Sequence, residues 1–151
     1  MPFARFKYQH FTLLLAGGLC LHLHGQAQFQ LRIRVEGLRN NKGQLLLSLF
    51  NRAYGFPDQP NLSFRQMRMP LNPEQKPEVV WNDLPAGIYA VALLHDEDDD
   101  GRCRMNFLGI PTEGVGVSTR KKRLWGKPDF ASSAFYLKED TTITIRVHYF
   151  F

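Results

Sequence analysis

The densest run of chemistry-bearing side chains is His95-Asp96-Glu97-Asp98-Asp99-Asp100-Gly101, five consecutive acids between a histidine and a glycine. Asp96, Asp98 and Asp100 at alternate positions, followed by Gly101, spell D-x-D-x-D-G, the first half of a calcium-binding loop. Ca2+ takes about six to eight oxygen ligands, and neighbouring carboxylates repel one another until a cation is placed among them. Asn106 and Glu113 are the candidates for further oxygens. The last position of such a loop, where a bidentate Glu is expected, is Phe107, and Arg104 could hold the acids together as an internal cation. The alternatives are therefore a loop organised by Ca2+ and a solvated acidic turn.

His95 supports two readings. With Ser118 as nucleophile and Asp96 or Glu113 to orient the ring, it could serve a hydrolase. Residues 114–118, Gly-Val-Gly-Val-Ser, lack the G-x-S-x-G order of a nucleophile elbow. The favoured reading is structural, with His95 bonding a loop carbonyl and pinning the returning chain. Gly109, Pro111, Gly114 and Gly116 read as backbone punctuation that lets the return segment pack closely. Beyond it, Arg120-Lys121-Lys122-Arg123 beside Trp125 could meet an anionic headgroup or a polysaccharide, or form a solvated loop.

The elements that must position these residues read as strands. Phe29, Leu31, Ile33 and Val35 alternate with polar residues, the period of a half-buried strand. Gln44 to Phe50 is apolar at nearly every position and is expected to be central. A turn at 40–43 would make the two a hairpin. Leu62 to Met69 and Glu78 to Leu84 are further strands, and Ile88 to Leu94 is the most apolar, expected in the middle of a sheet. Phe130 to Leu137 and Thr141 to Phe150 read as two final strands turning at Glu139-Asp140. No segment has a sustained helical apolar stripe. The fold class is all-β, an antiparallel β-sandwich of about seven strands.

Residues 83–91, DLPAGIYAV, look like the LPxGxYxV hairpin of transthyretin-like and carboxypeptidase-regulatory-like sandwiches. HDEDDDG from His95 and NFLGIPTEGVGVS from Asn106 are more specific. They resemble an exported bacterial family catalogued as domain of unknown function 2141, whose pattern has an acid where this chain carries Arg104. The resemblance implies a sandwich fold, an exported location and a shared loop, and no reaction.

The chain has 151 residues and reads as one domain after a leader. Arg5 and Lys7 precede an apolar run from Phe11 to Leu23, and Gly25-Gln26-Ala27 offers a cleavage site, the layout of a signal peptide over 1–27. The expected mature domain is 28–151, without a transmembrane segment. Its location is then periplasmic, on the outer surface or extracellular. Loss of Arg5 and Lys7 takes the formal charge from +5 to +3, which gives no reason to expect nucleic acid. Cys103 is the one cysteine of that domain, so no internal disulfide can form. The expected function is a non-catalytic binding or accessory module with 95–118 as its functional edge. The alternatives are the hydrolase and a structural or adhesive envelope domain. Expected partners are an envelope protein, a polysaccharide or an anionic headgroup.

Overall fold

A computed structural model describes residues 27–118 and 127–151. The expected leader, apart from Ala27, and the basic run Arg120, Lys121, Lys122 and Arg123 with Trp125 lie outside the described residues. Among the described residues, eight strands form two sheets. The first has the order β4 (Glu78–Pro85), β1 (Gln28–Glu36), β8 (Thr141–Arg146). The second has the order β3 (Arg65–Pro70), β2 (Gln44–Phe50), β5 (Gly87–Asp96), β6 (Gly114–Val117), with β7 (Phe135–Leu137) pairing the first residues of β5. The alternation read in β1 buries Leu31, Ile33 and Val35 against Leu45, Leu47 and Leu49 of β2 and Val91 and Leu93 of β5. Each such side chain stabilises the fold by about 1.5–3 kcal/mol.

Three expected pairings are corrected. β1 and β2 are not a hairpin, because they lie in opposite sheets. β1 instead pairs β4 antiparallel and β8 in parallel, from Leu31↔Thr141 to Glu36↔Arg146, so the sandwich is not wholly antiparallel. Arg32 and Arg34 keep the outer face of β1 in water, whereas β2 is apolar on both faces and needs cover on both. The LPAG segment is likewise a corner between sheets and not a hairpin turn. Asp83 takes φ +58°, Leu84 is buried, and the Tyr89 hydroxyl donates to the Pro85 carbonyl at 3.0 Å. At the C-terminal end, Phe130–Ser133 is one helical turn (α1) capped by Asp129, whose carboxylate accepts from Ser132 N–H at 2.8 Å. β7 and β8 then fall in opposite sheets.

A second apolar cluster explains the continuous apolar runs of β2 and β5. Phe50, Phe56 and Ala90 are buried on the outer face of the second sheet, with Val117, Phe130 and Ala134 packed against them. Phe56 meets Phe50 and Phe130 edge to face at centroid distances of 5.3 and 5.9 Å. A strand covered on both faces loses its period-2 signal.

The sandwich is tied at both edges. Val115 and His148 exchange backbone hydrogen bonds of 3.0 and 2.8 Å, joining β6 to the segment after β8. Gly114 permits this approach, since a Cβ there would lie 2.5 Å from Val147 Cγ1 and Tyr149 Cε1. At the other edge, the Arg65 guanidinium donates to the Asn82 and Asp83 carbonyls at 2.6 and 3.0 Å.

Candidate functional site

β5 delivers His95 and Asp96 to the root of the acidic loop as its last two residues, and both are fully buried. The His95 Nε2 faces the Lys42 carbonyl at 2.9 Å, so that nitrogen carries the hydrogen and donates. Nδ1 then accepts from the Tyr149 hydroxyl at 2.6 Å in the neutral ring. His95 thus bonds a loop carbonyl, as its structural reading expects, but what its ring pins is the 37–43 connection and the C-terminal segment and not the returning chain. Ser118 is not beside it. The Ser118 hydroxyl accepts from Val91 N–H at 2.7 Å and donates to the Ser133 carbonyl at 2.9 Å, fastening the end of β6 to α1. Histidine and serine are therefore engaged at different points along β5 and are not brought together.

The acids divide by role. Asp96 accepts from Asp100 N–H at 3.1 Å, Gly101 N–H at 3.0 Å and the Gln44 side-chain amide at 2.9 Å. Glu113, also buried, accepts from Glu97 N–H and Arg104 N–H, both at 3.1 Å. These carboxylates satisfy donors that the loop backbone would otherwise leave without partners. Asp98 is ion-paired with Arg104, which also reaches Asp100 at 3.4 Å. One carboxylate oxygen from each of Asp96, Asp98 and Glu113 lies within 4.8 Å of the others. Of the expected oxygen set, Asp100 is not in this group. Nor is the Asn106 side-chain oxygen free for it, because it accepts from Leu108 N–H and Ile110 N–H at 2.9 and 3.0 Å.

Asn106 thereby closes the tip of the return loop. Met105 and Pro111 form an isolated bridge, and Asn106 and Ile110 share a backbone bond of 2.9 Å. Gly101 and Gly109 both take left-handed backbone, φ +76° and +72°. The tip leaves Phe107 94 % exposed, Leu108 66 % and Met105 51 %. The sequence reading treated Phe107 only as a missing ligand. The signal it passed over was an apolar pair at the apex of a turn that Asn and Gly had already marked. Cys103 beside the tip is half-buried, and burial is the main cause pushing its thiol up to about 11.

Arg39 clamps the loop root from outside. It is ion-paired with Glu97, lies 4.5 Å over the Tyr149 ring, and donates to the Phe151 carbonyl at 3.0 Å. The Arg39 hydrogen bond is the main cause holding the Glu97 carboxyl below its ordinary 4.5, helped by the Asn40 amide and opposed by burial. Burial keeps the Tyr149 phenol above its ordinary 10.0. A carboxyl lowered on folding stabilises fully above its unfolded value and loses that contribution as pH falls through the folded one. Denaturant midpoints are therefore expected to fall as pH drops below about 4.5, with a shallower fall in Arg39→Ala. An identical pH dependence in the two proteins would count against the clamp.

Among the described residues, no helix is long and apolar enough to cross a membrane. No curated protein and no solved structure matches this chain. A family model does match, over residues 33–145, from within β1 to within β8, and so takes in both sheets and the whole loop. The chain belongs to that family, described as uncharacterised protein conserved in bacteria, DUF2141.

Proposed function

We propose that this protein is a non-catalytic, exported binding module whose functional edge is the return loop 95–118. The observation that carries the reading is how the loop uses its polar groups. Asp96, Asn106 and Glu113 all accept from backbone N–H groups of the loop itself. That bonding fixes a tip whose apolar side chains enter neither core cluster. A long, internally braced loop on a rigid sandwich is the usual way a scaffold presents a recognition surface. The leader layout at 1–27 supports export to the periplasm, the outer surface or the medium.

The test is a photo-crosslinking amino acid placed at position 107 and, for comparison, at exposed Gln66 on β3, in the native host. Adducts specific to position 107 are expected. Adducts at 66 and none at 107 would remove the loop from the functional surface.

A second reading of the same loop is favoured by the convergence of Asp96, Asp98 and Glu113. Ca2+ would enter among these carboxylates by displacing Arg104 from Asp98, and would lock the tip further. Ligand at about ten times its dissociation constant adds roughly 1.4 kcal/mol. For a domain of this size the unfolding midpoint should rise by about 4–7 °C over the chelated protein. That rise should vanish in Asp98→Ala. A midpoint indifferent to millimolar Ca2+ would leave Arg104 as the loop's own counter-ion.

A further inference from the structure

Beyond Val147 the chain has left the β8 ladder. Of residues 148–151, Tyr149 is partly buried, and His148, Phe150 and Phe151 are exposed. Directional contacts hold this short segment in place. His148 exchanges backbone bonds of 3.0 and 2.8 Å with Val115. The Tyr149 hydroxyl accepts from Arg39 N–H at 3.3 Å and donates to His95 Nδ1 at 2.6 Å. Its ring lies against Gly114, where a Cβ would come within 2.5 Å of Tyr149 Cε1. The Phe151 carbonyl accepts from the Arg39 guanidinium, which also covers the Tyr149 ring.

These contacts converge on the two feet of the return loop. His95 and Gly114 face each other across β5 and β6, and Arg39 grips Glu97. Each foot adjoins a buried carboxylate that braces the loop. Asp96 follows His95 and holds the amides of Asp100 and Gly101, and Glu113 precedes Gly114 and holds those of Glu97 and Arg104. A segment held at an edge by directional bonds, with little apolar burial, belongs to the low-stability end of a fold and opens as a local unit. Once it lifts, His95 Nδ1 loses its donor, Gly114 loses the ring against it, and Arg39 loses both Tyr149 and the Phe151 carbonyl. We propose that residues 148–151 are a detachable strap. Docked, it holds both feet of the return loop; undocked, it frees the loop while the two sheets stay intact. The coupling is a property of the fold alone, and its use to regulate recognition rests on the loop being the binding edge.

The experiment is hydrogen exchange of the purified protein in rising, sub-denaturing urea, compared with Tyr149→Phe, which removes the hydroxyl and keeps the ring. In the unaltered protein the amides of Val115 and His148 and the loop amides of Glu97, Asp100, Gly101 and Arg104 are expected to share one opening. That opening should lie below the opening of the β2 amides in free energy and have a shallower urea slope. Tyr149→Phe should speed exchange of strap and loop amides by one common factor of about ten, from loss of a hydroxyl bonded on two sides. Acceleration at 115 and 148 with the loop amides unchanged would mean two independent openings and overturns the proposal. Exchange of strap and loop only at the rate and slope of β2 also overturns it. In the native host, Tyr149→Phe is expected to lower the yield of adducts from the photo-crosslinker at position 107 several-fold. Coupled exchange with an unchanged yield overturns the regulatory use. Coupled exchange with no adducts at 107 in either protein removes the binding edge and leaves the strap standing.

Discussion

Asp96→Ala is expected to destabilise the protein by about 3 kcal/mol, the sum of weakened charge-assisted hydrogen bonds and donors left without an acceptor. Its carboxylate is fully buried at the end of β5 and holds Gln44 of β2 together with the amides of Asp100 and Gly101. For a domain of this size the loss corresponds to a fall of roughly 10 °C in the unfolding midpoint. The change should also release amide protection across 97–104, because both backbone bonds bend the acidic loop back on its root. Asp96→Asn should cost about half as much, since one oxygen remains an acceptor and the other becomes a donor facing donors. Equilibrium denaturation with unchanged slope, together with hydrogen exchange, reads both effects. A cost below about 1 kcal/mol for the alanine variant would show that the loop does not depend on this carboxylate.

Gly43→Ala should be of comparable size, and Gly109→Ala separates its causes. Both glycines take left-handed backbone, φ +66° and +72°. A Cβ at position 109 would meet nothing within 4 Å, so only the conformational cost of about 1–2 kcal/mol applies there. A Cβ at position 43 would lie 2.9 Å from Glu97 Cα and closer still to the Asp96 carbonyl oxygen. Those are backbone atoms and cannot swing aside, so the 37–43 connection must move off the loop root. Gly43→Ala should therefore cost at least about 3 kcal/mol, adding that displacement to the left-handed penalty. It should also break the Lys42 carbonyl from His95, visible as loss of a slowly exchanging imidazole N–H signal. Equal midpoints for the two variants would mean that the close approach at Gly43 is not rigid.

What the sequence disclosed follows from which signals are local. The period-2 pattern of β1, the central place of β5, and the acidic loop with its glycines were all legible, because alternation and turn chemistry act within a few residues. That His95 would bond a loop carbonyl was accessible, but that the carbonyl belongs to Lys42, and the second partner to Tyr149, was not, because both are more than fifty residues away. Pairing was not legible. Nothing in β1 states that it joins β8 in parallel, 110 residues away, and not its neighbour β2. The outer cluster of Phe50, Phe56 and Phe130 was hidden for a similar reason. Its members come from three separate segments, and only the two-sided apolar character of β2 hinted at cover. Within the site, five acids in a row cannot be sorted by type. Geometry separates Asp96, buried and bonded to backbone amides, from Asp98, which faces Arg104.

The parallel partnership of β1 and β8 has a consequence for how this chain acquires its shape. The first and last strands in the described order share a ladder, and Gln30 N–H reaches the Asp140 carboxylate across the same span at 2.8 Å. Closing so long a loop costs entropy before any contact rewards it, and chains dominated by such distant pairings fold slowly. A chain appearing N-terminus first holds β1 with at most one neighbour until Thr141 to Arg146 arrive. Ile33 and Val35 lack their lateral neighbours Ile143 and Ile145 until then. The fold is therefore completed from its end, and a product cut before Thr141 would display an unfinished sheet and an open apolar interior to whatever chaperone or protease it met.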